Sequence, residues 1–139
     1  MTLTVKALSL AMAGKMADAA EELAASKNLK VVIAIMDEHG NLKYFRRMDG
    51  NNLVSVRMAQ LKALTSASIP ISTKALAERN EKLVNRPYLA VPGIVLLGGG
   101  LPIITRDGQH IGAIGISGAN PELDELCAEA GLEAIAEDL

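Results

Sequence analysis

The chain has 139 residues, a length that suits a single domain, residues 1–139, because one hydrophobic core commonly organises about 100–150 residues. Half of its residues are apolar, 22% are charged and the net charge is -2, which argues against a general nucleic-acid binder with its contiguous positive patch. With no tryptophan, two tyrosines and one phenylalanine there is little from which to build a base-stacking platform, and the single cysteine, Cys127, excludes an intramolecular disulfide and a multi-cysteine zinc site.

Val5, Leu8, Met12, Met16, Ala19 and Leu23 recur at spacings of three and four, which predicts a first helix. Lys15, Asp18 and Glu21 interrupt this apolar region. Neither a secretory signal nor a bilayer span is therefore expected, and the expectation is a cytoplasmic protein with no membrane partner. Asn28 marks the helix stop. Val31 to Met36 is a β-branched run without alternation, the pattern of a strand covered on both faces. Asp37 to Asn41 reads as a hairpin turn around Gly40, and Leu42 to Arg47 as the returning strand.

A second helix is predicted from near Asn52 to Ser68. Its stripe, Val56, Ala59, Ala63 and Ala67, is nearly all small, so its axis can lie close to a neighbour. Pro70 ends it, and Ser72 or Thr73 caps a short third helix carrying Leu76 and Leu83. Arg86 to Gly93 holds two prolines and reads as loop. Ile94 to Leu97 reads as a strand broken by Gly98-Gly99-Gly100, followed by a hairpin of Leu101 to Thr105 and His110 to Ser117. Asn120-Pro121-Glu122 sets a cap, a first-position proline and an N-terminal acid for a last helix to about Leu139. Five strands in hairpins flanked by helices predict an antiparallel sheet in an α/β sandwich of the α+β type.

The charge is unevenly placed. From Gly40 to Ala90 there are nine basic and three acidic residues, and from Gly118 to Leu139 there are seven acidic and none basic. Arg47 and Asp49 leave the second strand for the second helix, either pairing with each other and capping it or forming a ligand loop. Lys62 stands between Leu61 and Ala63, either snorkelling to solvent or projecting into a cleft. Three consecutive glycines, Gly98 to Gly100, exceed what a simple turn requires. They permit close backbone approach to a ligand or a subunit, and amide donation to an anion. His39 and His110 lack metal-ligand spacing, so no metal site is expected. Cys127 falls on the apolar stripe Leu123, Cys127, Ala130 and Ala134, the position of a small core residue.

The motifs in order are Asp37-x-x-Gly40-x-Leu42, Arg47-Met48-Asp49-Gly50, Ala59-x-x-Lys62-Ala63, Gly98-Gly99-Gly100-Leu101-Pro102-Ile103, Gly108-x-x-Ile111-Gly112-Ala113-Ile114-Gly115-Ile116-Ser117-Gly118 and Cys127-Ala128-Glu129-Ala130-Gly131. In this order and spacing the chain resembles the GlcG/HbpS family of haem-binding or haem-degrading domains, which includes the C-terminal domain of PduO-type proteins. The resemblance covers essentially the whole chain. It implies a profilin-like five-stranded antiparallel sheet with helices on both sides and assembly into dimers or larger homo-oligomers. It also implies a small-molecule ligand, with haem as a candidate cofactor. Some haem-binding relatives use a histidine of the first helix as axial ligand. Here that helix offers only Met12 and Met16, which its periodicity assigns to the core.

The functional expectation is a cytosolic oligomer that binds haem, a corrinoid or a small organic anion. An enzyme acting on a small organic acid and a structural oligomer remain as alternatives. The expected ligand-binding residues are Arg47, Asp49, Lys62, Gly98, Gly99, Gly100 and Pro102.

Overall fold

The structure is a computed structural model and describes residues 4–139. Ser9 sets the first boundary, because its hydroxyl accepts the Met12 amide at 3.1 Å and satisfies one of the orphan donors of a helix start. Helix α1 accordingly spans Leu10–Ser26 rather than beginning near Val5, which is 73% exposed. Its buried face is Met12, Ala13, Met16, Ala17, Ala20 and Ala24. Asn28, at φ 57°, is in the left-handed conformation that ends many helices.

Strand β1 (Val32–Asp37) and strand β2 (Leu42–Arg47) form the first hairpin. The Asp37 carboxylate accepts the His39 and Asn41 amides at 2.9 and 3.0 Å, and Gly40 takes φ 79° in the turn. Strand β3 (Gly100–Ile104) and strand β4 (His110–Ser117) form the second hairpin. β1 and β4 pair antiparallel at the centre, giving the order β2-β1-β4-β3. Both central strands are covered on two faces, which explains their unbroken apolar runs. Val31, Ile33, Ile35, Ile114 and Ile116 pack with α1 and with helix α4 (Pro121–Ala134). Val32, Ala34 and Met36 pack on the other face with Ala59 and Ala63 of helix α2 (Leu53–Ser68).

The sheet of the described residues therefore has four strands, where the sequence suggested five. Ile94 to Leu97 is the difference. The Val95 amide donates to Thr65 Oγ1 at 2.9 Å, and Thr65 Oγ1 lies 3.3 Å from the Gly93 carbonyl. The segment thus runs along α2, held by a side chain, and adds nothing to the ladder. Helix α3 (Thr73–Glu81) is capped by Ser72 and buries Leu76, but it stops before Leu83, which is 40% exposed. α4 starts at its Asn120 cap and stops at Ala134, and a short 3-10 turn at Ala136–Asp138 follows in place of further helix.

α2 lies very close to the sheet. A Cβ added to Gly115 would sit 2.1 Å from the Ala59 carbonyl oxygen and 2.5 Å from the Ala63 amide nitrogen. Only a strand position without a side chain, facing a helix stripe of alanines, permits this approach. It fixes the residue between these alanines, Lys62, over the end of β4.

Candidate functional site

Lys62 is 2% exposed and Asp124 is also 2% exposed. Lys62 Nζ donates to Asp124 Oδ2 at 3.0 Å and to the Ile116 carbonyl at 3.0 Å. Asp124 Oδ1 accepts the Ala119 amide at 3.0 Å. α4 turns Asp124, Cys127, Ala128 and Gly131 inward, so an acid occupies a core position because an ammonium is there to meet it. Burial pushes the Asp124 carboxyl above the usual carboxylate range, and the Lys62 charge and the Ala119 amide pull against that rise.

Gly99 makes the pair possible. At φ 126°, it lies where a Cβ would be 2.9 Å from Lys62 Nζ and 2.6 Å from the Ile116 carbonyl, and its own carbonyl accepts the Ile116 amide at 2.9 Å. Gly100 would place a Cβ 2.6 Å from the Lys62 carbonyl, and its amide is engaged by Thr73 Oγ1 at 2.9 Å. Gly98 packs on Pro121. The triplet is buried. It lets the backbone close around Lys62, and the Gly100 amide is not free for an anion.

Above the pair is a cleft of about 460 Å³ between the first turns of α2 and α4, within the size range of small-ligand sites. Val54, Met58, Leu97 and Pro121 give it apolar walls, and Lys62, Asp124 and Ser117 are its polar groups toward the core. Ser117 pairs with Val32 in the β-ladder. Val32 packs against α2, and directly opposed residues share a sheet face, so the Ser117 side chain points into the cleft. It is 8% exposed, and its hydroxyl has no hydrogen-bond partner among the described residues. A smaller cavity of about 260 Å³ adjoins, sharing Asn52, Ser55 and Gly118 and adding Lys30, Gly50 and Asn51. Asn51 donates to the Lys30 carbonyl at 2.6 Å and keeps its own Oδ1 buried without a partner.

Of the expected site residues, Lys62 is brought together with Gly99 and Gly100, while Gly98 meets Pro121. Arg47 and Asp49 are not. Both are exposed, and Arg47 sits opposite Val32 on the edge strand, roughly 10 Å of sheet width from Ser117. The segment they begin reaches the site only through Gly50, Asn51 and Asn52. Asn52 caps α2 by accepting the Ser55 amide at 3.1 Å. Pro102 lies in β3 opposite Ala113, on an edge strand where its missing N–H costs no ladder bond. Sequence reasoning missed Asp124 and Ser117. The signal for Asp124 was an acid three residues before Cys127 and four before Ala128, on the buried face Asp124, Cys127, Ala128 and Gly131 rather than on the expected stripe Leu123, Cys127, Ala130 and Ala134.

A match to the family described as "Haem degrading protein HbpS-like" covers residues 8–133. The chain is 34% identical over 136 residues to a 15.0 kDa protein of Citrobacter freundii encoded between dhaT and dhaS, covering 96% of this chain and 95% of that one. It is 35% identical over 113 residues to GlcG of Escherichia coli K12, covering 79% and 81%. A crystal structure of a PduOC:haem complex superposes with a TM-score of 0.85 at 32% identity, covering 94% and 96%. The chain belongs to the GlcG/HbpS family.

Haem iron needs an axial His, Met, Cys or Tyr. Among the described residues, Met58 is the one such side chain lining the cleft; His39, His110 and Cys127 do not line it. His39 sits in the exposed hairpin turn, 3.2 Å from Glu38. Met12 and Met16 are core residues of α1. The cleft thus offers haem iron a methionine and, among the described residues, no histidine, cysteine or tyrosine.

Proposed function

We propose that this chain is a cytoplasmic, homo-oligomeric small-molecule-binding protein whose ligand occupies the cleft over Lys62 and Asp124. The observation that carries this reading is a buried ion pair left beneath an open, apolar-walled cleft. Buried charges are costly unless they are paired, and a purely structural pair would be expected to be sealed by packing. Oligomerisation is supported by Val84, Leu89 and Val91, which are 86%, 70% and 45% exposed on the segment that follows α3, apolar side chains of the kind a partner surface covers.

The test is ligand-observed and amide-detected NMR screening of small organic molecules against the whole protein. Ligands should shift the Gly99, Ser117 and Gly118 amides, and Val54→Trp, which fills the mouth, should abolish those shifts. Binding that ignores Val54→Trp places the site elsewhere. Sedimentation equilibrium should return a multiple of 14.6 kDa; a monomer at micromolar concentration removes the oligomeric part.

A second reading, haem binding, is favoured by the PduOC:haem relative. In this chain the cleft offers Met58 and no histidine to hold the iron, so haemin titration should give a shallow Soret change. A sharp one-to-one endpoint would establish haem as a ligand.

A further inference from the structure

The floor of the cleft carries a positive group that is already neutralised. Lys62 Nζ has three hydrogens to donate. Two are engaged, by the Ile116 carbonyl and by Asp124 Oδ2, and the third has no acceptor among the described residues. Ser117, more than nine-tenths buried and facing the same space, holds a hydroxyl that likewise has no partner there. The floor therefore offers two hydrogen-bond donors and no net charge.

We infer that the cleft recognises its ligand through an uncharged carbonyl or carboxamide oxygen, which accepts from Lys62 Nζ and Ser117 Oγ, with the ligand's apolar body between Val54, Met58, Leu97 and Pro121. This rests on the cleft being the ligand site. A carboxylate in the same place would set a second negative charge beside Asp124 in a buried site with a single ammonium. Two carboxylates sharing such a site oppose each other's ionisation. The N-terminus of α2 does not alter this balance, since Val54 lies about 12 Å along the helix axis from Lys62 and the terminal partial charge fades within the first turn. The N-terminus of α4 already has Glu122 and Asp124 in its first turn. The small organic anion expected from the local excess of basic residues is thus disfavoured at the floor, because the cation that suggested it has an internal partner.

The experiment compares three molecules of one shape: isobutyramide, isobutyrate and isobutylamine. Each is titrated at pH 7 into the full-length protein, with the Gly99, Ser117 and Gly118 amides followed by NMR. Isobutyramide should bind at least tenfold more tightly than isobutyrate, and isobutylamine should not bind. Ser117→Ala should weaken isobutyramide by about fivefold, the worth of one neutral hydrogen bond. Asp124→Asn, which leaves the ammonium uncancelled, should reverse the order so that isobutyrate binds better. If that variant does not fold, the ranking in the native protein and the Ser117→Ala effect decide.

Tighter binding of isobutyrate by the native protein, or an unchanged isobutyramide affinity in Ser117→Ala, overturns the inference while leaving the cleft a ligand site. Absence of binding by all three overturns the inference. Binding that Val54→Trp fails to block removes the cleft reading itself.

Discussion

Lys62 and Asp124 meet at 3.0 Å across 62 positions of sequence, and they come from helices on opposite faces of the sheet. α2 covers one face and α4 the other, so the ion pair passes around the ends of β3 and β4 and ties the two helical layers together.

Removing either partner leaves a buried, unpaired charge. Lys62→Met and Asp124→Leu should each destabilise the protein by about 3–5 kcal/mol. The double variant should lose less than the sum, since a well-packed apolar pair avoids the desolvation that the ion pair requires. Urea titration of the four proteins closes the cycle, and additive losses would mean that the two charges act independently.

Cys127 should behave as a core residue and not as a nucleophile. Burial, with a further contribution from the Asp124 charge and against the opposing Lys27, pushes its thiol up to about 11. The thiolate is the reactive species, so a disulfide reagent at pH 8 should leave the native protein unmodified and react promptly in guanidinium chloride. Fast stoichiometric modification of the native state would show that α4 opens readily.

The β1–β2 turn should lose stability in acid. Slight burial acts to raise Asp37, but hydrogen bonds from the Asn41 and His39 amides outweigh it and hold the carboxyl below its ordinary value of 3.8. A carboxyl depressed in the folded state stabilises above the unfolded value, and that contribution is lost as pH falls through the folded one. Asp37→Ala should therefore be less stable than the native protein at pH 7, with the gap narrowing below about pH 4. A gap independent of pH would assign the effect to packing.

Two glycine-to-alanine substitutions should move stability in opposite directions. Gly115→Ala places its methyl 2.1 Å from the Ala59 carbonyl and should cost about 3 kcal/mol or more, because neither backbone can retreat. Gly14→Ala, inside α1 with nothing within 4 Å of the new Cβ, should gain about 0.5–1 kcal/mol of helix propensity. Thermal melts of the two variants check both signs.

Much of the fold was legible because its elements are locally encoded. Asn52 and Asn120 cap the helices that their sequence positions predict. The unbroken Val31 to Met36 run is a strand covered on both faces, and the alanine stripe of α2 lies flush on Gly115. Ile94 to Leu97 misled because a short apolar run reads alike whether it pairs with a strand or lies along a helix, and only Thr65, some 30 positions away, decides. The site was half legible for a related reason. Lys62 stood out as a charge in a small-residue stripe. Its sign as a binding group could not be read without Asp124, and no local pattern reports a partner on a different helix. Arg47 and Asp49 were attractive by charge alone, but Arg47 is exposed on the edge strand and Asp49 is exposed just beyond it.

The close seating of α2 on Gly115 has a bearing on how such a site can change over generations. The floor is bound into the scaffold: Gly99, Gly100, Gly115, Lys62 and Asp124 constrain one another by contacts that leave no room for a methyl group. The rim is free of that constraint. Val54 and Leu97 are 58% and 46% exposed, and most surface substitutions cost little stability. On the proposed reading of the cleft, drift at the rim alters which molecular shape is admitted while the polar group that must be presented stays the same, so descendants of this chain would diversify in ligand size far more easily than in ligand chemistry.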